Sequence, residues 1–197
     1  MIPFGVLSAT AAVIERDNVD TDQIIPARFL RKPRSAGYNT FLFHDLRGVD
    51  PAFPLGPSGN PPILLASANF GCGSSREGAV YALVDGGVRC VIAPSFGDIF
   101  AGNAAKNGLL TVELSAEQIA TLLGLARLGA EITVDLPAQQ VRAANRTFGF
   151  QIDPFRKHCL LEGLDDIGLT LACEAAIAAF EAADRESRPW AEPSGKP

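Results

Sequence analysis

Short apolar runs alternate with helical segments through the middle third of the chain. The runs at 63–66, 88–93 and 109–114 have the length of buried strands rather than of buried helices. The stretches between them, at 76–84 and 99–106, are predicted helices, and the first places three apolar residues on one face. This β-α-β-α-β order predicts parallel strands with helices packed against them.

The N-terminal third is predicted to consist largely of loops. It is rich in polar turn residues, and the proline- and glycine-dense residues 51–62 are a predicted loop. After the alternating region, Ser115 and Gln118 have the spacing of a capping box, in which each side chain bonds the backbone of the other, so a helix is predicted to begin there.

The C-terminal third carries a second type of pattern. Apolar and polar residues alternate at 131–135, 141–143 and 147–152, which predicts a small antiparallel sheet. The alanine-rich residues 170–183 are a predicted helix, and 187–197 are a predicted disordered tail. The predicted fold class is therefore α/β, with a mixed parallel sheet, flanking helices and a small antiparallel sheet.

Length and charge narrow the class of protein. The 197 residues fit one compact domain, assigned to residues 1–186. Lys and Arg total 17 against 22 Asp and Glu, a net charge of −5, which argues against nucleic acid as the main partner. The N-terminus has no basic leader, and no run approaches the ~20 apolar residues of a membrane span. We expect a soluble, cytoplasmic protein that does not bind membranes.

The cysteines and histidines give no sign of a metal site. None of Cys72, Cys90, Cys159 and Cys173 lies in a CxxC pair, whereas zinc and iron–sulfur sites usually contain one. Disulfides are not expected in a reducing compartment. We expect Cys90, Cys159 and Cys173 to be small buried residues. The histidines, His44 and His158, are interpreted as structural.

The segment 69–77, NFGCGSSRE, lies between a predicted strand and a predicted helix and has the features of an anion site. Its glycines let the backbone approach a ligand, and the helix start offers N–H groups and a positive dipole end. Arg76 adds a forked cation suited to a carboxylate. Ser74 and Ser75 add hydroxyls, and a serine in such cationic surroundings can act as a base.

The same residues allow a purely structural interpretation. Ser74 and Glu77 have capping-box spacing, so the serine could simply cap the helix.

Other anion-binding motifs do not fit the segment 69–77. A P-loop needs Gly-Lys-Ser/Thr, and in the dinucleotide fingerprint the third glycine is replaced by Arg76. The nucleophile-elbow pattern is also missing.

Three long motifs together resemble a known family. NFGCGSSRE with the downstream VIAPSFGDIFAGNAAKNGLL resembles the small-subunit motif of bacterial 3-isopropylmalate dehydratases and the swivelling domain of aconitase. DNVDTDQIIPARFL and FRKHCLLEGLDDIGLTL are similar to two further motifs of the same family. The resemblance runs in order from about residue 4 to residue 183 and implies a swivelling β/β/α domain, like the C-terminal domain of aconitase.

The resemblance implies roles for single residues. Ser74 is the candidate base, and Ser75 and Arg76 are candidate ligands of a substrate carboxylate. Asp22 matches an active-site acid, although an Asx-turn residue in a polar loop is the structural alternative. Either Arg34 or Arg28 is expected to supply a second carboxylate clamp, the alternative being a solvated basic loop. The loop at 30–38 is expected to contact the side chain of the substrate.

The resemblance also implies partners. The small chain would work with a large subunit that carries a [4Fe–4S] cluster, and this chain itself would bind no metal. The implied substrate is a small hydroxy diacid, 2-isopropylmalate, which is isomerised by loss and re-addition of water. One position departs from the family motif SSREHA, because Gly78 stands where His is usual. Two alternatives therefore stay open: a related hydro-lyase for another 2-substituted malate, and a catalytically silent dicarboxylate-binding module.

Overall fold

A computed structural model describes residues 1–74 and 76–191 of the chain. These residues form two four-stranded sheets with helices around them. The strands are β1 (Val6–Ala9), β2 (Ala11–Ile14), β3 (Ile63–Ala66), β4 (Cys90–Ala93), β5 (Leu110–Glu113), β6 (Ile132–Asp135), β7 (Gln140–Ala143) and β8 (Arg146–Gly149). The helices are α1 (Thr21–Ile24), α2 (His44–Val49), α3 (Glu77–Asp85), α4 (Asp98–Lys106), α5 (Ala116–Arg127), α6 (Pro154–Glu162), α7 (Asp166–Leu171) and α8 (Glu174–Ser187).

The first sheet is parallel throughout, in the order β2-β3-β4-β5. Helix α3 connects β3 to β4, and α4 connects β4 to β5, as the alternating pattern predicts. The second sheet is antiparallel, in the order β1-β6-β7-β8. The capping box at the start of α5 is also confirmed, because Ser115 accepts from the N–H of Gln118 and Gln118 accepts from that of Ser115.

Strand β3 shows how the layers are stacked. All four of its residues are buried, and successive side chains point to opposite faces of the sheet. Leu64 and Ala66 join an apolar cluster that includes residues of α1, α3 and α4. Ile63 and Leu65 join a second cluster with α5 and the inner face of the antiparallel sheet. The result is one helical layer, one parallel sheet and one antiparallel sheet, which confirms the β/β/α architecture.

Several elements differ from the sequence-based expectation. The N-terminal strands β1 and β2 lie in a region expected to be loop-rich. The region 170–183, predicted as one helix, belongs to two helices, α7 and α8. Helix α7 begins earlier than predicted, with Asp165 as its N-cap, and Ala172 and Cys173 separate it from α8. Of the predicted tail 187–197, Ser187 ends α8 and Pro189–Ala191 form a 3₁₀ turn, while 192–197 lie outside the described residues.

The expectations for the cysteines are only partly confirmed. All four are free thiols, with Cys90 and Cys159 buried. Burial raises the pKa of Cys90 far above its usual range. The expectation for Cys173 is wrong, because this residue lies at the start of the exposed helix α8 and is itself exposed. Among the described residues, no cluster of three His, Cys, Asp or Glu side chains has the arrangement of a metal site. No helix within the same residues has the length and apolarity to cross a membrane.

Candidate functional site

The loops that follow β2, β3 and β4 meet at the carboxyl edge of the parallel sheet. The loop after β3, residues 67–76, is called the β3 loop below and lies between the other two. Asp20 forms an isolated parallel bridge with Cys72, and Phe70 forms one with Phe96. The three loops thus keep the order of their strands, and this edge is where open α/β sheets place their ligands.

The conformation of the β3 loop depends on its glycines. Asn69, Gly71 and Gly73 have left-handed backbone, with φ of 59°, 73° and 89°. A Cβ on Gly71 would lie 2.6 Å from Cδ2 and 2.7 Å from Cβ of Phe100, and a Cβ on Gly97 would lie 2.6 Å from the carbonyl oxygen of Gly71. Glycine is therefore required for the backbone to pass through this narrow space.

Thr21 holds the loop from the side of α1. It is only 3% exposed, and its Oγ1 donates to the carbonyl oxygen of Ser74 over 2.9 Å. Its backbone N–H donates to the carbonyl oxygen of Cys72 over 3.0 Å. Asp20 and Gln23, on either side of Thr21 in the chain, form a capping box that fixes the start of α1. The sequence analysis did not assign a role to Thr21, although its position inside this D-x-x-Q box was a signal that α1 begins there.

Arg76 and Asp22 form an ion pair beside Ser74. The guanidinium of Arg76 donates to the carboxylate of Asp22, which also accepts from the N–H of Ala27 over 3.2 Å. The Arg76 side chain is largely buried, at 18% exposure, whereas Asp22 is about half exposed and Ser74 is exposed. The structure therefore brings Ser74, Arg76 and Asp22 together. The fourth predicted member of this group, Ser75, lies outside the described residues.

The capping-box interpretation of Ser74 and Glu77 is wrong. Helix α3 begins at Glu77 with Arg76 at the N-cap position, and no side chain caps it there. The carboxylate of Glu77 accepts from Nδ2 of Asn107 over 2.8 Å instead of reaching back to the β3 loop. Among the described residues, the start of α3 is therefore not held by the predicted capping box.

Arg28 lies close to this group but is paired elsewhere. It follows Ala27, whose N–H bonds Asp22, and its guanidinium donates to Asp45 at the start of α2 over 2.9 Å. Hydrogen bonding from Arg28 lowers the pKa of Asp45 to about 2. His44 is exposed and also contacts Asp45, with Nδ1 at 3.1 Å.

Arg34 lies at the other end of α3. Its guanidinium donates from two nitrogens to Asp85, the last residue of that helix, at distances of 2.6 and 3.1 Å. The pair is about 13 Å along the helix from Arg76, at a rise of about 1.5 Å per residue. The structure does not bring Arg34 to the ion pair of Arg76 and Asp22.

Sequence models of known families cover most of the chain. The model of the aconitase C-terminal domain matches residues 3–117. A second model, LeuD_N, matches 120–154, and a model of the C-terminal domain of the 3-isopropylmalate dehydratase small subunit matches 166–194. The first of these spans the parallel sheet and all the site residues named above.

Full-length relatives carry one consistent description. The chain is 49% identical over 200 residues to a 3-isopropylmalate dehydratase small subunit from Xanthobacter autotrophicus, covering 96% of this chain and 100% of the relative. It is 46% identical over 205 residues to a 3-isopropylmalate dehydratase small subunit from Leptospira interrogans, covering 96% of this chain and 98% of the relative. A solved structure of 3-isopropylmalate dehydratase from Methanocaldococcus jannaschii superimposes with a TM-score of 0.67 at 28% identity, covering 89% of this chain and 99% of that one. By sequence and by fold, the chain belongs to the family of 3-isopropylmalate dehydratase small subunits, within the aconitase superfamily.

Proposed function

We propose that this chain is the small subunit of a 3-isopropylmalate dehydratase, a hydro-lyase of leucine biosynthesis. With its large subunit it would isomerise 2-isopropylmalate to 3-isopropylmalate by removing water and adding it back with the hydroxyl on the neighbouring carbon. The observation that carries the proposal is the placement of Ser74 beside the ion pair of Arg76 and Asp22 at the carboxyl edge of the parallel sheet. This supplies a hydroxyl, a forked cation and a carboxylate for one small diacid.

The reaction explains why these residue types are needed. The hydrogen to be removed lies next to a carboxylate and is very weakly acidic, so the negative charge that develops must be stabilised. Arg76 is positioned to bind that carboxylate through the N–H groups that Asp22 does not use. The oxygen of Ser74 takes the proton as the base, with the positive charge of Arg76 favouring its deprotonated form. In the re-addition step, the same oxygen returns a proton to carbon.

Asp22 has two effects in this scheme. Its carboxylate orients the guanidinium of Arg76, and its own position is fixed by the N–H of Ala27. It also remains about half exposed, so in this scheme it is open to the substrate as well as to Arg76. Of the two candidates for the second carboxylate clamp, Arg28 is favoured, because it adjoins Ala27 and is 54% exposed.

The hydroxyl that leaves is a poor leaving group and needs a Lewis acid, which a [4Fe–4S] cluster held by the large subunit would supply. The residues of this chain do not fit as its ligands. Cys90 and Cys159 are buried, Cys173 lies at the start of α8, and Cys72 is a single thiol in the β3 loop. In this proposal the large subunit would supply the cysteines that hold the cluster. Free thiols such as these persist in the reducing cytoplasm, where we place the complex.

Co-expression tests the proposed function. We expect the isolated chain to be inactive, and the chain co-expressed anaerobically with a matching large subunit to convert 2-isopropylmalate. The same complex should be assayed on citraconate and homocitrate-type acids. A preference for one of these would assign the chain to a related hydro-lyase. Micromolar binding of a malate analogue by the isolated chain, with no turnover in any complex, would indicate a silent binding module.

Substitution of Arg76 by lysine separates charge from geometry. Lysine keeps the positive charge but cannot form the forked pair with a carboxylate, so kcat/KM of the complex should fall about tenfold or more. Arg127→Lys is the matched control, because Arg127 forms a surface ion pair with Glu15 at the end of α5. Steady-state kinetics on 2-isopropylmalate measures both variants. Near-normal turnover in Arg76→Lys would remove Arg76 from the substrate site.

A further inference from the structure

One segment crosses from the ion pair of the site to the far end of α3. Residues 27–38, called the crossing segment below, begin at Ala27, whose N–H donates to Asp22. The segment contains two short 3₁₀ turns, Ala27–Phe29 and Arg34–Ala36, whose backbone hydrogen bonds are local, as from the N–H of Leu30 to the carbonyl oxygen of Ala27. These bonds hold the turns together internally. The segment also pairs with α2 through Arg28 and Asp45, and its placement over α3 depends on side-chain contacts with that helix.

The first contact covers the start of α3. A Cβ on Gly78 would lie 2.6 Å from Cδ2 of Leu30 and 3.2 Å from Cε1 of Tyr38. Tyr38 is 6% exposed, and its hydroxyl donates to the carbonyl oxygen of Lys32 over 3.1 Å. Because Gly78 lacks a side chain, the crossing segment packs directly on the helical turn that follows Arg76.

The second contact fastens the segment to the end of α3. Arg34 forms the two-nitrogen hydrogen bond with Asp85, and its guanidinium carbon lies 4.3 Å from the ring centroid of Tyr81. Tyr81 also meets the ring of Tyr38 edge-on, at 6.1 Å between centroids. Hydrogen bonding to Asp85 raises the pKa of Arg34, so its charge persists at any physiological pH. A planar guanidinium held by a carboxylate and an aromatic face is a geometry that lysine cannot reproduce.

We propose that Arg34 is a positioning residue: by binding Asp85 and stacking on Tyr81, it holds the crossing segment over the first turn of α3 and so keeps Asp22 and Arg76 in place. This rests on the proposed function and differs from a role as a substrate clamp. Arg34 would act through the contacts of Leu30 and Tyr38 at Gly78 and through the Ala27–Asp22 bond. It would not touch the substrate itself.

Kinetics of the assembled enzyme gives the first test. Arg34→Gln should raise KM for 2-isopropylmalate about fivefold and lower kcat by about the same factor, because a displaced Arg76 would bind the substrate carboxylate and stabilise the developing charge less well. Asp85→Asn should have the same effect, and the double variant should be no worse than either single one, since both changes break one interaction. Arg34→Lys should recover little. Arg127→Gln breaks a surface ion pair between the end of α5 and Glu15, which follows β2, and should leave KM unchanged.

Hydrogen exchange of the isolated chain gives the second test and needs no activity. In Arg34→Gln and Asp85→Asn, amides of the crossing segment should exchange about tenfold faster, whereas those of β3 and β4 should not change. Unchanged exchange in the crossing segment, or an unchanged KM in an active complex, would overturn the positioning role. If the unaltered complex does not convert 2-isopropylmalate, the proposed function fails, and the exchange result still decides the role of Arg34.

Discussion

Replacing Ser74 with alanine is expected to lower kcat of the assembled enzyme by about 10²–10⁴, the usual contribution of a positioned base. The expectation follows from the exposure of Ser74 and from its position beside Arg76. Folding should be unaffected, because the hydrogen bond between Thr21 and residue 74 is accepted by the backbone carbonyl of Ser74, which alanine retains. Steady-state and single-turnover rates on 2-isopropylmalate measure the effect.

Ser58→Ala is the matched control for this prediction. Ser58 is an exposed serine in the loop that leads into β3, and it therefore lies at the opposite edge of the parallel sheet. It should change kcat by less than about twofold, as expected for a surface change away from the site. A Ser74→Ala enzyme with normal kcat would show that another group removes the proton.

Replacing Gly71 with alanine is expected to destabilise the isolated chain by about 2–5 kcal/mol. Two costs combine here: left-handed backbone costs an alanine roughly 1–2 kcal/mol, and forcing extra atoms against a packed ring costs about 1–3 kcal/mol. The new Cβ would meet the ring of Phe100, which is itself buried in the core. Urea unfolding of the isolated chain measures the free energy of unfolding.

Gly59→Ala separates the two costs. Gly59 has nearly the same φ, 71° against 73°, but nothing lies within 4 Å of an added Cβ. The free energy of unfolding of Gly59→Ala should therefore fall only by the roughly 1–2 kcal/mol that left-handed backbone costs an alanine. If Gly71→Ala and Gly59→Ala lower the free energy of unfolding equally, the added Cβ at Gly71 meets no energetic penalty from Phe100. The close packing of the β3 loop against that ring would then not contribute to stability.

The middle of the fold could be predicted because local and tertiary signals agree there. Strands β3, β4 and β5 lie between two apolar layers, so their sequences are largely continuous apolar runs bounded by turns. The N-terminal strands could not be predicted in the same way. The chain moves from the antiparallel to the parallel sheet at Thr10, between β1 and β2, and no single period describes a stretch that serves two sheets.

The candidate site residues could be predicted where they lie in recognisable motifs, but the contacts that hold them in place could not. Ser74 and Arg76 share one motif, and Asp22 lies in a second. The contacts that hold them join residues about fifty positions apart, as Thr21 to Ser74 and Arg34 to Asp85 do. Sequence spacing carries no signal for such pairs. Polar residues that serve only as supports, such as Thr21, therefore had no distinguishing pattern.

The ion pair of Arg76 and Asp22 has a consequence for copies of this chain that have not yet found a partner. Because Asp22 offsets part of the charge of Arg76, the isolated chain attracts a diacid less strongly than an unpaired arginine would. In the proposed complex, tight binding of a diacid would therefore need further cations from the large subunit. Copies of this chain without a large subunit would then bind little of the hydroxy acid present in the cell.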